Sequence, residues 1–254
     1  MRVVVVPVLS DNYAYLLIDD TSKTAATVDP AEAHLVLAAA DELGVRIEAV
    51  LTTHHHYDHA GGNKEMAKKV PGLSVYGGSL DNVSACTHPL NHDDTFAVGS
   101  IQVRALHTPG HTRGSISYYC TDGEQEGVVF TGDTMFVGGC GRIFEGTPQD
   151  LYHSLVDVLG KLPETTQVYV GHDYTIRNLE FATYVEKDNK TLQQMLQWAQ
   201  EQKVQRKFTV PSTLQNEWLI NPFMRSGNDA MKSVCPGCSP VEVFAKLRRQ
   251  KDSF

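Results

Sequence analysis

Short apolar runs, each closed off by turn formers, fill the first two thirds of the chain. Residues 3–9, 13–18 and 25–28 are separated by Ser10-Asp11-Asn12 and by the polar residues 19–23, which is the pattern of a β-meander. The Ala- and Leu-rich residues 31–43 end at Gly44, as a glycine-capped helix does. A short apolar strand at 47–52 and a helix at 64–70, halted by Pro71-Gly72, come next. Further β-type runs fall at 73–76, 96–98, 101–106, 115–119 and 128–131, then a helix at 150–159 and a strand at 167–170. Strands followed by helices, twice over, predict an α/β chain with two packed sheets and helices outside them.

The character changes near residue 173. Glycine becomes scarce and helical periods take over, at 175–185 and 191–202, where Leu192, Met195, Leu196 and Ala199 mark one face. Residues 208–221 read as a proline-containing loop, and a last helix is expected at 240–249. The expected division is a β-rich domain at 1–173 and a smaller helical domain at 174–254, packed together because no Ser/Gly linker separates them.

Composition narrows the function classes. The net charge of -8 disfavours nucleic acid as the main partner, since phosphate binding needs excess Lys and Arg. No run of 18 apolar residues is present to span a membrane. The β-branched start at residues 1–9 suits a strand better than a signal peptide. Five cysteines fit a reducing compartment better than a disulfide framework, so cytosol is the expected location. A longer mitochondrial form remains an alternative. A monomer is expected.

The chemistry concentrates in Thr53-His54-His55-His56-Tyr57-Asp58-His59-Ala60-Gly61-Gly62-Asn63, where five of eleven side chains can bind a metal through nitrogen or oxygen. In extended backbone, residues two apart share a face, so His54, His56 and Asp58 would meet one site while His55 and Tyr57 point away. Three more donors each follow an apolar strand: His111 in Thr108-Pro109-Gly110-His111-Thr112, Asp133 in Thr131-Gly132-Asp133-Thr134, and His172 in Gly171-His172-Asp173. With His59 they make seven donors, more than one tetrahedral ion needs. Two divalent ions with three ligands each and one bridging carboxylate use all of them, and Asp133 is the choice for the bridge. Zn is expected, with Fe or Mn possible. Such a pair brings the pKa of bound water to about 7, which makes a nucleophile without a serine or cysteine. Asp58 and Asp133 are the expected catalytic carboxylates.

His54-x-His56-x-Asp58-His59 with the later His111, Asp133 and His172 resembles the metallo-β-lactamase superfamily. Within it, the chain resembles the hydroxyacylglutathione hydrolases, or glyoxalase II, along its whole length. That closer resemblance is carried by Gly139-Cys140-Gly141-Arg142-Ile143-Phe144-Glu145-Gly146, by Gly171-His172-Asp173-Tyr174-Thr175 and by the C-terminal region. It implies an αββα sandwich followed by a helical domain. One metal would be held by His54, His56 and His111, the other by Asp58, His59 and His172, with Asp133 bridging. The implied reaction is hydrolysis of S-D-lactoylglutathione to glutathione and D-lactate, the second step of methylglyoxal detoxification.

Glutathione carries two carboxylates, and Lys246-Leu247-Arg248-Arg249-Gln250-Lys251 supplies local positive charge in an acidic chain. Arg248 and Lys251 share a helix face, and the resemblance implies that they bind the glycine carboxylate. Arg142 and Phe144 stand where some family members carry Lys and Tyr, so the charge is kept and a hydroxyl is lost. Tyr174 keeps the expected aromatic hydroxyl. Cys235-Pro236-Gly237-Cys238 reads as incidental loop, Cys140 as a packed residue, and His34, His55, His88, His92, His107 and His153, which show no partner pattern, as surface or core histidines. Asp11-Asn12-Tyr13 reads as a turn that supports the site. The rivals are a mononuclear iron persulfide dioxygenase, a non-catalytic scaffold, and a lactonase or β-lactamase, which leaves Arg248 and Lys251 unexplained.

Overall fold

The computed structural model describes residues 1–123 and 126–254. Along the chain run β1 (Arg2–Val8), β2 (Asn12–Asp19), β3 (Thr24–Val28), α1 (Ala33–Leu43), β4 (Arg46–Leu51), α2 (Tyr57–Ala60), α3 (Asn63–Lys69), β5 (Ser74–Gly78) and β6 (His88–Leu90). Then come β7 (Thr95–Val98), β8 (Ile101–His107), β9 (Ile116–Thr121), β10 (Val128–Gly132), the hairpin β11 (Met135–Phe136) and β12 (Gly139–Cys140), α4 (Pro148–Tyr152) and β13 (Gln167–Val170). The C-terminal part holds α5 (Thr175–Val185), α6 (Lys190–Val204), β14 (Ser212–Thr213), α7 (Leu214–Ile220) and α8 (Pro240–Ser253).

Two mixed sheets face each other, in the orders β1-β2-β3-β4-β5-β6 and β14-β13-β10-β9-β8-β7. Alternation along β2 shows how they pack. Tyr13, Tyr15 and Leu17 point into the space between the sheets, where they meet Val103, Tyr118, Val129 and Phe130. Ala14, Leu16 and Ile18 point to the other face and pack with Val36 and Ala40 of α1 and Met66 of α3. Every residue of β2 is buried, as expected of a strand covered on both faces. The inter-sheet core continues without a break into Leu179, Phe181, Leu192, Phe223, Phe244 and Leu247 of the C-terminal region.

Three expectations need correction. Residues 208–221 are not all loop: Ser212–Thr213 pairs antiparallel with β13, and Leu214–Ile220 is helical, its first turn capped by Thr213. The prolines flank this helix at Pro211 and Pro222, so they delimit it rather than break it. The helix read at 150–159 is α only to Tyr152; it continues as a π-helical turn, His153–Val158, and a 3₁₀ turn, Leu159–Lys161. Cys235 and Cys238 are joined in a disulfide, while Cys86, Cys120 and Cys140 are free.

A buried carboxylate ties α7 to the sandwich. Glu217 accepts hydrogen bonds from Ser212 Oγ at 2.6 Å, Asn221 Nδ2 at 2.9 Å and the Gly138 backbone N–H at 2.9 Å. Burial pushes its pKa up from 4.5 to about 7. The folded state therefore holds this proton more tightly than the unfolded chain. The resulting stabilisation is complete below the unfolded value and is lost as pH rises through about 7. Glu217→Gln retains the acceptor and can donate to Ser212. Between pH 5 and 8 its stability relative to the parent should rise by about 3 kcal/mol. Chemical denaturation across that range checks this; parallel pH curves for the two proteins would contradict it.

Candidate metal centre

The seven sequence-predicted donors come together at one end of the sandwich. β4 ends at Leu51 and leads through Thr52-Thr53 to His54 and His56; β8, β10 and β13 deliver His111, Asp133 and His172 from the opposite sheet. Gly171 makes the close approach possible: a Cβ there would lie 2.4 Å from Asp133 Oδ1 and 2.8 Å from His59 Cε1. The one local expectation that fails is the extended reading beyond His56. Residues Tyr57–Ala60 form a helical turn, which carries Asp58 away from His54 and His56 and places it beside His172.

The donors fall into two groups. His56 Nδ1 lies 3.0 Å from His54 Nε2 and 3.0 Å from His111 Nε2. Asp58 Oδ2 lies 3.3 Å from His172 Nε2 and 3.6 Å from His59 Nε2. Asp133 stands between them, with Oδ2 3.5 Å from His111 Nε2 and 3.4 Å from His172 Nε2, and Oδ1 3.3 Å from His59 Nε2. Bonds of about 2.0–2.1 Å to a tetrahedral ion put neighbouring donors about 3.3 Å apart, so these spacings suit ligands around a shared cation. Three-donor sets able to hold an ion include His54/His56/His111, His54/His59/Asp133 and Asp58/His59/His172.

Two further observations test the fit. His59 Nε2 and Asp133 Oδ1 are buried and have no hydrogen-bond partner, a costly arrangement unless something electrophilic sits among them. Four of the remaining ring nitrogens are already engaged. His54 Nδ1 meets Thr53 Oγ1 at 3.1 Å, His59 Nδ1 meets Asp29 at 2.9 Å, His111 Nδ1 donates to the Arg142 carbonyl at 2.8 Å, and His172 Nδ1 meets Asp11 at 2.8 Å. Such outer partners orient metal-binding imidazoles. The donor set fits a divalent ion pair.

Electrostatics divide the cluster. Burial, reinforced by neighbouring imidazoles, holds His54 and His56 below the usual histidine range; burial likewise lowers His111. Burial also opposes charge on His59 and His172, but Asp133 together with Asp29 or Asp58 outweighs it, and His172 rises to about 10. Hydrogen bonding from His172 keeps Asp58 below the ordinary carboxylate range, and His59 and His172 overcome burial to do the same for Asp133. Two protons on imidazole thus balance two carboxylates, the charge a dication would replace.

Around this centre lies a cavity of about 480 Å³, lined by Asp11, His111, Asp133, Phe136, Arg142, Phe144, Tyr174, Arg177, Arg248 and Lys251 among others. All five side chains expected at the substrate line it. Tyr174 stacks on His172 at 4.6 Å, and Phe144 meets His111 and His56 edge-on at 5.2 and 5.7 Å. Arg248 is buried, donating from Nη1 to the Cys140 carbonyl at 2.7 Å and pairing through Nη2 with Asp252 at 3.0 Å. Lys251 Nζ donates to the Arg177 carbonyl at 2.8 Å, and burial lowers its pKa to about 8.

Sequence reasoning missed several supporting groups. Asp29 read only as a strand stop, yet it accepts from Thr53 N at 2.8 Å and Thr53 Oγ1 at 2.7 Å besides holding His59. Its one visible signal was an acidic residue directly after an apolar strand, the position Asp133 also occupies. His55 is not without partners: its backbone N–H and Nδ1 both meet Asp81, and Nε2 lies 3.5 Å from Glu145. Arg177 went unnoticed.

A mixed-sheet sandwich with a His/Asp cluster at one edge defines the class, the metallo-β-lactamase superfamily, whose sequence model matches residues 12–172. Residues 173–254 match the model described as "Hydroxyacylglutathione hydrolase C-terminus". A relative from Arabidopsis thaliana named "Hydroxyacylglutathione hydrolase cytoplasmic" is 47% identical over 256 positions, covering 100% of this chain and 99% of its own. "Hydroxyacylglutathione hydrolase" of Synechococcus sp. (strain JA-3-3Ab) is 43% identical, covering 100% of both. The chain belongs to the hydroxyacylglutathione hydrolase family. Among solved structures, ETHE1 from Myxococcus xanthus superposes with a TM-score of 0.72 at 27% identity, covering 98% of this chain and 90% of that one. TTHA1623 in a di-iron-bound form gives 0.62 at 25%, covering 88% and 100%.

Removing Asp29 takes partners from both Thr53 and His59. Asp29→Ala should lower folding stability by about 3 kcal/mol, measured by denaturant titration. A loss under about 1 kcal/mol would show that the neighbouring ends of β3 and β4 hold without it.

Proposed function

We propose that this protein is a dinuclear metal-dependent thioester hydrolase acting on S-(2-hydroxyacyl)glutathione, with S-D-lactoylglutathione as the typical substrate. The observation that carries the reading is the joining of a complete seven-donor cluster to a cationic cleft. The printed names of the full-length relatives support the substrate class. In this reading His54, His56 and His111 hold one ion, Asp58, His59 and His172 the other, and Asp133 lies between both sets. Zn is the proposed metal, though the di-iron form of TTHA1623 is a reason to test Fe as well. A cytoplasmic setting is proposed, as the Arabidopsis relative's name states of that protein.

Bound divalent ions would supply Lewis acidity and water activated at neutral pH. The chain's own residues do the rest. Asp58, fixed by Asn12 Nδ2 at 3.0 Å, and Asp133 keep two ionised carboxylates beside the reacting water, where they orient its protons. Phe144, Phe136 and Tyr174 wall the approach and exclude bulk water from the thioester. Arg248, Lys251 and Arg142 set positive charge where the thiol half lies, in the helical unit at 174–254 and the adjoining loop. The leaving thiolate is stable enough to depart without a strong general acid. A mononuclear dioxygenase would leave Asp58, His59 and His172 without a task, and nothing in the site favours it.

Full chelation is expected to abolish hydrolysis of S-D-lactoylglutathione, and metal analysis of the restored enzyme should find about two ions per chain. Turnover by fully metal-free protein would rule the reading out. Lys251→Ala should raise KM for the thioester about tenfold while kcat changes little. Steady-state kinetics decide; an unchanged KM would remove Lys251 from the binding site.

A further inference from the structure

The geometry points to Arg177 as a further specificity-determining residue: with Arg248 and Lys251 it forms a three-cation pocket for the carboxylate that ends the thiol half of the substrate. This rests on the thioester reading above and sharpens it, from glutathione thioesters in general to those whose terminal carboxylate is free.

Placement is the first support. Arg177 lines the same cavity as Arg248, Lys251 and Tyr174, and its carbonyl accepts the Lys251 ammonium at 2.8 Å. The second is unspent charge. Arg248 already serves the Cys140 carbonyl through Nη1 and Asp252 through Nη2, and Lys251 serves the Arg177 carbonyl. Among the described residues the Arg177 guanidinium has neither a carboxylate within ion-pair distance nor a hydrogen-bond acceptor. Of the three it alone is solvent-exposed, so it is free to meet an incoming anion first.

A third support comes from the helix. Arg177 sits in the first turn of α5, where no acidic residue accompanies it and no side chain caps the N-terminus. A cation there opposes the helix dipole, so the position is unfavourable for folding alone. An anion in the cleft would reverse that sign, meeting both the guanidinium and the positive end of the helix. The fourth is an unpartnered donor in the same wall. Arg248 Nε lies in the interior and has no partner, on a side chain that itself lines the cavity. A carboxylate has two oxygens, so it can accept from Arg177 and from a remaining Lys251 proton together. Crowding among these cations, after burial, contributes to the lowered pKa of Lys251, and a bound carboxylate would relieve it.

The test compares S-D-lactoylglutathione with its glycine monoethyl ester, whose terminal carboxylate is masked, in the parent enzyme and in Arg177→Ala, Arg177→Gln and Arg177→Lys. The neutral variants should raise KM for the free acid about tenfold and leave kcat within about twofold, with Arg177→Lys recovering most of the loss. For the ester, parent and variants should share one KM. A KM for the acid within about twofold of the parent in both neutral variants overturns the assignment, as does an equal rise for acid and ester. Failure of the parent enzyme to hydrolyse either thioester would instead sink the functional reading itself.

Discussion

Buried donors that face one another need positive charge among them. His56 Nδ1 lies 3.0 Å from both His54 Nε2 and His111 Nε2, and Asp58 and Asp133 pack against the same cluster, so lone pairs and carboxylates crowd one dry space. Against burial, Asp133, with Asp29 or Asp58, raises His59 and His172 above the usual histidine range, so imidazolium charge is favoured on that side of the cluster. A divalent ion pair would meet the same need, because the rings of His54, His59, His111 and His172 each have their other nitrogen engaged. The sandwich answers the same constraint. Strand ends from both sheets must stop at one edge, and a continuous inter-sheet core is what keeps them from drifting apart.

Much of this is legible locally. The apolar runs mark the strands, and donors placed just past them mark the site, because a strand end is where a side chain can leave the core while its backbone stays fixed. The limits are equally physical. Nothing in residues 54–59 alone says that a helical turn intervenes, so the spacing of Asp58 misleads about which group it joins. Asp29, Asp11 and the Arg142 carbonyl act on histidines 30, 161 and 31 residues away, and only the closed fold reveals those pairings. The short α7 is hidden by the prolines at its borders, and its anchor, Glu217, reaches Gly138 across 79 residues.

Arg142 shows how side-chain identity and position can separate. Its guanidinium is exposed and lies 3.6 Å from Asp252, a weak surface contact. Its carbonyl orients His111, a task any residue could perform at that position. The substitution relative to family members with Lys there therefore leaves the metal centre alone. Phe144 is different: its ring lies against His56 and His111, so it contributes apolar cover that a lost hydroxyl does not diminish.

The two arginines of the cleft are mechanically unlike. Arg248 binds the carbonyls of Cys140 and Gly141, the residues immediately before Arg142, whose own carbonyl holds His111. A cation removed at 248 thus loosens α8 from the β12 loop and, within two more links, the orientation of a metal-binding imidazole. Any effect on KM there is mixed with an effect on the chemical step, because the same side chain anchors the loop and faces the ligand. Arg177 has no such links, since its guanidinium makes no hydrogen bond or ion pair among the described residues. The contribution of charge to substrate selection can therefore be isolated at 177, where the guanidinium holds no hydrogen bond of the fold, and not at 248, where it does.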